Sequence, residues 1–295
     1  MVIISIGGGL GNQMFQYAFC CMVKHVYPDV EIKLDIMHTL SDDHNGYELK
    51  RVFGIEEEEC TLEELRQVSD VYPVNGPYYK FYHFMERIRN RLIGHRKSCI
   101  AQRDFTVYED RFFHLDMSQS YYFFGVFANF QFFDKIKDKI HMVYQFPQIT
   151  DESNIRWEKE IRNSESVGIH IRHGDYVAWG IELVPEKFYR KAIAYIREHI
   201  LDRELKYFVF TDDPIYAKET YSDMDNLYVV EGNIGKNSYI DMQLMSLCKH
   251  NITANSTFSF WGAYLNSNPC KIVVAPDMPC TGWRKPFACE EWVRM

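Results

Sequence analysis

The sequence predicts an α/β protein built on parallel sheets, and two features of the chain indicate this. From residue 166 to residue 275, short apolar runs alternate regularly with helical patterns. The first forty residues also read as strand, glycine-rich loop, helix and strand. Strands that alternate with helices form parallel sheets covered by helices on both faces. Ligands of such sheets bind beyond the carboxyl ends of the strands.

The opening of the chain is predicted to be a βαβ unit. Val2–Ile6 is an apolar run, and the glycine-rich loop 7–11 follows it. Asn12–Val26 carries apolar side chains at helical spacing, and Glu31–Ile36 is the second predicted strand. Glycines at this position let a ligand approach the backbone, and the N-terminus of the next helix favours an anion.

Two other interpretations of this loop stay open. A dinucleotide-binding loop needs a third glycine where Asn12 stands, although Asp35 lies about twenty residues further on, where a ribose-binding acid is expected. A tight turn without any ligand is the second alternative.

The rest of the chain divides into an irregular part and a regular part. Residues 42–144 show few clear elements, with helices predicted over Thr61–Val68 and Asp134–Met142, and a polar helix, Asp151–Asn163, is a plausible linker. We therefore predict domains over 1–150 and 151–295. The predicted strands of the second half are Ser166–Ile171, Tyr207–Thr211, Leu227–Val230, Asn251–Ala254 and Lys271–Ala275. Its predicted helices are Pro185–His199, Pro214–Tyr221, Tyr239–Cys248 and Phe258–Asn266.

Composition narrows the class of protein. The net charge of −8 argues against a general attraction to nucleic acid. The eight cysteines form no CxxC pair and no zinc-like spacing with histidine, so we expect reduced thiols and no metal site. The N-terminus reads as a strand, and no apolar run approaches the roughly 20 residues that span a bilayer. We expect a cytoplasmic protein. The aromatic share of 16% fits either aromatic cores or a sugar-binding surface.

Polar side chains follow the first strand of the second half. His170 and Arg172 share one face of that strand, and Asp175 comes shortly after. An arginine at a strand end can bind phosphate oxygens through two parallel hydrogen bonds, and Asp175 can hold that arginine or accept a proton. A buried ion pair without a ligand is the alternative.

Two further strand ends carry polar groups. Asp212 and Asp213 follow the next strand, where an acid can accept hydrogen bonds from guanine or can cap the following helix. Both roles stay open, one for each acid. Ser256 and Thr257 precede Phe258 at a predicted helix start, where they form a second anion site or a simple N-cap.

Taken in order, these motifs resemble glycosyltransferase family 11, the α-1,2-fucosyltransferases, and the wider group of α-1,6- and protein O-fucosyltransferases. The resemblance covers nearly the whole chain. The motifs that carry it are Gly8–Ala18, Tyr47–Leu49, Gly125–Phe127, His170–Tyr176, Thr211–Asp213 and Asn255–Trp261.

The resemblance implies a GT-B-like fold of two Rossmann-like domains facing a cleft, an inverting mechanism and no metal. Residues 1–150 would form the acceptor side, and 151–295 would bind GDP-fucose. By analogy, Arg172 binds the β-phosphate. Its neighbour Asp175 is our candidate for an acid–base residue or for the group that orients Arg172. By the same analogy, His170 and Asp212 lie near the guanosine, and Asn12 faces the fucose or the incoming hydroxyl. The residues implied to line the diphosphate pocket are Ser256, Thr257 and Phe258. Gly9 and Gly11 belong to the loop whose glycines let a ligand approach the backbone.

One position departs from the family pattern. Relatives often carry a second arginine directly after the first, and this chain has His173 there. The role of that second arginine therefore does not carry over, and Arg172 is left with more of the phosphate charge.

The expected reaction is transfer of L-fucose from GDP-β-L-fucose to the 2-hydroxyl of a galactoside. The acceptor would be a galactose-containing oligosaccharide or a lipid-linked glycan, and no cofactor is expected. Alternatives are a transferase of different donor or linkage, and a non-catalytic sugar-binding protein on the same fold.

A basic segment, Tyr78–Arg103, interleaves arginine and lysine with apolar side chains. One interpretation is a domain-packing helix with a solvated polar face. The other is a peripheral contact with the anionic inner face of the membrane.

Overall fold

The structure, a computed structural model, describes residues 1–41, 44–70, 79–201 and 203–295. The chain divides into two compact units, Met1–Gln145 and Phe146–Met295. Each unit contains one sheet, and every strand pairing in the two sheets is parallel. The predicted α/β class is therefore confirmed.

The sheet of the first unit has the strand order β2-β1-β4-β3. Its strands are β1 (Val2–Ser5), β2 (Ile32–Asp35), β3 (Cys99–Ala101) and β4 (Tyr121–Phe124). Helix α1 (Leu10–Val26) connects β1 to β2, which confirms the predicted βαβ opening. Strands β3 and β4 lie in the part of the sequence that showed few clear elements. Because β4 pairs directly with β1, a strand that the sequence did not reveal is central to this sheet.

The described residues of the first unit form four more α-helices: α2 (Leu49–Phe53), α3 (Leu62–Val68), α4 (Tyr79–Ile93) and α5 (Lys137–Val143). Helix α3 begins with a capping box, in which Thr61 and Glu64 bond reciprocally to each other's backbone N–H. Helix α4 lies within the predicted basic segment. Tyr78 at the start of that segment lies outside the described residues, as do the side chains of Lys80, Tyr82 and Glu86.

Aromatic side chains fill the core of the first unit. Helix α1 is buried at every position from Leu10 to Val23 except Asn12. On it, the Phe19 ring stacks on Phe127 with 3.8 Å between centroids. Other buried rings pack edge-on around this pair: Phe112, Phe123 and Phe132. For these residues, the high aromatic content of the sequence reflects core packing.

The sheet of the second unit has the strand order β10-β9-β8-β5-β6-β7. The strands are β5 (Glu165–Ile171), β6 (Leu205–Thr211), β7 (Leu227–Val230), β8 (His250–Ile252), β9 (Val273–Ala275) and β10 (Val293–Arg294). The chain passes from β5 outward to β7 and then returns to place β8 on the other side of β5. The strand order therefore reverses between β5 and β8, which is where parallel sheets bind ligands.

Helices cover both faces of this sheet: α6 (Glu152–Arg162), α7 (Gly174–Trp179), α8 (Glu186–His199), α9 (Pro214–Thr220), α10 (Tyr239–Leu247) and α11 (Thr257–Tyr264). One apolar cluster includes Tyr189 and Ile193 of α8, and another includes Ile161 of α6 and Leu244 of α10. The polar helix predicted as a linker thus belongs to this unit. The other predicted elements are found close to their expected bounds, whereas α7 and β10 were not predicted.

No helix in the described part of the chain is both long enough and apolar enough to cross a membrane.

Gln16 of α1 joins two strand ends of the first unit. Its Oε1 accepts from the backbone N–H of Gly7 at 2.9 Å, and its Nε2 donates to the carbonyl of Gly125 at 3.0 Å. We predict that Gln16→Ala lowers the free energy of unfolding by about 2 kcal/mol, since both backbone groups lose their partner in a poorly solvated place. Chemical denaturation measures this, with the exposed Gln131→Ala as control at under about 0.5 kcal/mol. Equal stabilities of the two variants would contradict this role.

Candidate active site

Polar residues of the second unit meet at the carboxyl ends of three adjacent strands. Arg172 follows β5, Asp212 follows β6, and Asn255 and Ser256 follow β8. Since β5 lies between β6 and β8, these groups converge at the point where the strand order reverses.

The guanidinium of Arg172 is held between two carboxylates. Its Nη2 is paired with Oδ2 of Asp175, and its Nε lies 3.4 Å from Oδ2 of Asp212. The ring of Tyr176 lies below it, 5.8 Å from the guanidinium carbon to the ring centroid. The Arg172 side chain keeps 26% of its surface exposed. The cation is therefore fixed in direction and still accessible.

Asp212 organises the loop that follows β5. Its Oδ1 accepts from the N–H of His173 at 2.9 Å, and its Oδ2 accepts from the N–H of Asp175 at 3.1 Å. Burial alone would raise the pKa of Asp212, but Arg172 and these N–H groups lower it to about 2. The ionised form thus stabilises the fold at neutral pH, and this contribution is lost as the pH falls towards 2.

Gly174 lies against Asp212. A Cβ atom at this position would lie 3.4 Å from the Asp212 carbonyl oxygen and 3.5 Å from its carboxylate. These are ordinary van der Waals distances, so a methyl group would be accommodated at this position.

Asp175 behaves differently from Asp212. Burial raises the pKa of Asp175, the neighbouring Asp212 raises it further, and Arg172 opposes both effects. Its Oδ1 is buried and has no hydrogen-bond partner. The two acids thus differ in proton affinity, which is typical of paired carboxylates in active sites.

His170 is buried with an unpaired ring nitrogen. It is 3% exposed, its Nδ1 makes no hydrogen bond, and its ring packs on Phe258 with 5.5 Å between centroids. Burial and the charge of Arg172 lower the pKa of His170 to about 3, so the ring is neutral at pH 7. Buried polar atoms are nearly always paired in proteins, so this nitrogen is available to a ligand or to a water molecule.

The start of α11 forms the third side of this cluster. Ser256 caps the helix, and its Oγ accepts from the N–H of Phe258 at 3.3 Å. Asn255 is 1% exposed, its Nδ2 donates to the Glu182 carbonyl at 3.0 Å, and its own carbonyl accepts from Tyr176 OH at 3.0 Å. The Oδ1 atom of Asn255 has no partner. Thr257 is the first residue of the helix and is partly exposed.

Sequence reasoning gave no role to Tyr176, Glu182 or Asn255. Tyr176 and Asn255 stand inside the motifs of the resemblance, so position in a motif was the available signal. Glu182 offered no signal, because only its backbone carbonyl takes part.

The two adjacent acids after β6 have separate roles. Asp213 caps α9, where its Oδ1 accepts from the N–H of Tyr216 at 3.0 Å, while Asp212 faces Arg172. The other oxygen of Asp213 lies 2.9 Å from Nδ1 of His173, whose ring stacks on Tyr216 at 3.8 Å. His173, which stands where relatives often have a second arginine, is thus held by Asp213, the residue that caps α9.

Glycines and amides shape the loop after β1 in the first unit. Gly8 has φ of +72°, and a Cβ there would lie 2.6 Å from Nδ2 of Asn12. Gly9 precedes α1 as its N-cap, and Gly11 is buried in the first turn. The buried side chain of Gln13 donates to the carbonyl of Gly8 at 2.7 Å.

Gln13 also reaches a second loop. Its Nε2 donates to the Gly46 carbonyl at 2.8 Å, and its Oε1 accepts from the N–H of Glu48 at 2.9 Å. With Gln16, it fixes the backbone around the glycine-rich loop. Both residues lie in the motif of the resemblance, yet the sequence did not indicate their function.

Asp35 is buried and hydrogen-bonded within the first unit. It is 1% exposed and accepts from Tyr122 OH at 2.9 Å and from the N–H of Met37 at 3.0 Å. A ribose-binding acid needs an accessible carboxylate, so these bonds disfavour the dinucleotide-binding interpretation.

The loop after β4 contains a strained residue. Phe127 has φ of 56°, a left-handed conformation that is rare for a bulky side chain. The N–H of Phe127 donates to Oε1 of Gln102 at 2.8 Å, and its ring stacks on Phe19. Such strain is frequently found at functional sites. Strand β4 neighbours β1, so this loop lies at the strand-order reversal of the first sheet.

Within the described ranges, no group of three or more His, Cys, Asp or Glu side chains is arranged to hold a metal ion.

Comparison with known proteins decides the family. The model of Glycosyl transferase family 11 matches residues 99–294, more than half of the chain. This chain belongs to glycosyltransferase family 11. It is therefore an enzyme that transfers a sugar, and the interpretation as a non-catalytic sugar-binding protein is not retained.

Two bacterial relatives cover nearly the whole chain, and a mammalian one covers less than half of it. The O-antigen biosynthesis glycosyltransferase WbnK of Escherichia coli is 30% identical over 98% of this chain and 99% of the relative. An α-1,2-colitosyltransferase of Escherichia coli is 30% identical over 94% of this chain and 91% of its own length. Galactoside α-(1,2)-fucosyltransferase 2 of Sus scrofa is 27% identical over 45% of this chain and 42% of its own length.

A solved structure supports the same fold. The fucosyltransferase NodZ from Bradyrhizobium aligns with a TM-score of 0.52 at 15% identity, over 88% of this chain and 91% of that chain. The fold is therefore GT-B-like, as the motifs implied for this family.

The separate positions of the two acids give a prediction about GDP, the nucleotide implied by the motifs. We predict that Asp212→Asn weakens GDP binding by at least about tenfold, because Arg172 and the loop after β5 lose an anionic partner. Asp213→Asn should change it by less than about threefold. Isothermal titration measures both affinities, and thermal unfolding checks that each variant is folded. Equal and small effects would show that Asp212 does not support nucleotide binding.

Proposed function

We propose that this enzyme transfers L-fucose from GDP-β-L-fucose to the 2-hydroxyl of a galactoside, with inversion at the anomeric carbon. The second unit would bind the donor, and the first would hold the acceptor. The observation that carries this proposal is the accessible Arg172 cation, fixed by Asp175 and Asp212 beside the unpaired nitrogen of buried His170. This combination suits a nucleoside diphosphate.

In the proposed reaction, negative charge develops on the departing diphosphate and has to be stabilised. The bond from the anomeric carbon to the phosphate oxygen breaks, and GDP leaves with the bonding electrons. The acceptor oxygen forms the new bond on the opposite face and loses its proton. Arg172, already oriented, would stabilise the departing β-phosphate without reorganisation. The N–H groups at the start of α11, around Ser256, Thr257 and Phe258, would face the same diphosphate.

The two carboxylates, Asp212 and Asp175, would have different roles. Asp212 stays ionised and would keep Arg172 and the loop in place near the guanosine, with His170 beside it. Asp175 has a raised pKa and a free buried Oδ1, so it can orient Arg172 through one oxygen and accept a proton at the other. In the first unit, Asn12 would contact fucose or the incoming hydroxyl, and Gly9 and Gly11 would let a ligand approach the backbone.

A second donor has its own support. The α-1,2-colitosyltransferase relative aligns over 94% of this chain. Colitose is L-fucose without its 3-hydroxyl, so a GDP-linked colitose would present the same diphosphate to Arg172. The two donors differ by one hydroxyl of the sugar. Arg172 would contact the diphosphate, which both donors share, so its position does not distinguish them. Donor choice therefore has to be measured.

The test is a matrix of donors and acceptors with linkage analysis of each product. We expect the highest kcat/KM with GDP-L-fucose and a β-galactoside acceptor, and a product with an α-1,2 linkage. We expect turnover to be unchanged in EDTA, because Arg172 and backbone N–H groups would neutralise the leaving group. A higher kcat/KM with GDP-colitose would show that colitose, not fucose, is the sugar transferred. A product with a different linkage would overturn the assignment of the acceptor hydroxyl. Activity lost in EDTA and restored by Mn²⁺ would show that a metal is needed.

Substitution of Arg172 tests the role of its charge. We predict that Arg172→Ala lowers kcat by about 10²–10³-fold, since the leaving diphosphate loses its cation. Arg172→Lys should restore little activity, because a point charge cannot form two parallel hydrogen bonds. Arg190→Ala is the matched control, since Arg190 is also paired with two acids, Glu186 and Asp223, away from this cluster. Near-native turnover of Arg172→Ala would refute the assignment.

A further inference from the structure

Helix α4 carries a continuous apolar stripe that is exposed. Phe84 is 60% exposed, Ile88 39% and Leu92 77%, and Met85 beside them is 47% exposed. Spacings of three and four residues place these side chains on one face of the helix. Single exposed apolar residues are ordinary, but a contiguous row marks an interaction surface.

The helix is attached to its own unit by polar contacts. Arg89, four residues after Met85, donates to Oδ1 of Asp70 at 2.8 Å. Beyond the end of α4, the backbone N–H of Arg96 donates to Oδ2 of the same acid at 2.8 Å. A helix that packs on a domain normally buries its apolar face. The described apolar side chains of α4 are exposed instead, so they do not pack on the described part of the unit.

Unpaired cations flank the apolar stripe. Arg87 and Arg91 are exposed, and no carboxylate of the described residues pairs with either. Lys97, shortly after the helix, is exposed and likewise has no carboxylate partner among the described residues. The sequence of α4 contains one acid, Glu86, and four basic residues, while the whole chain has a net charge of −8. Arg87 and Arg91 thus place two exposed positive charges beside the apolar stripe.

We infer that α4 binds the surface of an anionic phospholipid bilayer, with its axis along the membrane plane. Phe84, Ile88 and Leu92 would enter the boundary of the acyl chains, and Arg87 and Arg91 would contact lipid phosphates. An apolar stripe with basic flanks is the pattern by which helices lie at a membrane interface. Neighbouring basic residues add electrostatic attraction to anionic lipids, and salt weakens it.

A second copy of the chain fits this surface less well. Two copies related by a twofold axis would place the same patch on both sides of the contact. The arginines beside the two stripes would then face each other, with one acid in each α4 sequence to compensate. Anionic lipid satisfies the apolar and the basic residues together. This inference does not depend on the identity of donor or acceptor.

Vesicle flotation of the full chain tests the inference. The wild type should float with vesicles of phosphatidylethanolamine and phosphatidylglycerol at about 0.05 M salt, and weakly with pure phosphatidylcholine. The variant Phe84→Ser/Ile88→Ser/Leu92→Ser should lose at least about tenfold in partitioning. Its matched control is Met142→Ser/Ile155→Ser, which removes exposed apolar side chains from α5 and α6 and should float normally.

Charge is tested separately. Arg87→Gln/Arg91→Gln should lower partitioning by about 10–30-fold at low salt, and the difference from wild type should shrink at about 0.5 M salt. Arg156→Gln/Lys191→Gln, which removes two exposed basic residues elsewhere, should have little effect. Turnover of a small soluble acceptor and circular dichroism should be unchanged in every variant, which shows that each is folded.

Three results would overturn the inference. The first is absence of wild-type flotation with the anionic vesicles at low salt. The second is unchanged flotation of the folded apolar triple variant. The third is a lipid-free dimer, seen by analytical ultracentrifugation, that the triple variant converts to a monomer, since the stripe would then be covered by a second copy.

Discussion

The clamp on Arg172 is the interaction on which the second unit's polar centre depends. A guanidinium at the end of a buried strand is costly unless its charge is compensated, and Asp175 and Asp212 supply that compensation. Asp212 also accepts from two backbone N–H groups of the loop after β5, so the acid that holds the cation also shapes its loop. Removing this acid would therefore disturb charge and backbone together.

The topology explains why these groups meet although they are far apart in sequence. Strands β6 and β8 both pair with β5, and all three run in the same direction, so their carboxyl ends lie side by side. The loop after β5 and the cap of α11 then meet across the reversal of strand order, where Tyr176 OH bonds to the Asn255 carbonyl. Local sequence determines each loop, and the sheet determines their proximity.

The sequence predicted what depends on local pattern. The second half was readable because its strands are apolar and bounded by clear helix signals, and Arg172, Asp175 and Asp212 followed from strand ends. Strands β3 and β4 were missed because they have three or four residues, and aromatic runs such as Tyr121–Phe124 do not distinguish strand from helix. The bridging roles of Gln13 and Gln16 depend on distant backbone groups, which no local pattern reveals.

Helix α4 shows the same limit of sequence prediction. Periodicity reveals that a helix has an apolar face, but it does not reveal whether that face is buried or exposed.

The two units also differ in the chemistry of their strand ends. In the second unit an arginine and two acids lie at the reversal of strand order, whereas in the first unit the corresponding loops are held by the amides of Gln13 and Gln16. Charged groups suit a diphosphate, whereas the amides of Gln13 and Gln16 are already bonded to backbone groups of their own unit. Neutral hydrogen bonds thus shape the loops of the first sheet, and charged groups shape those of the second.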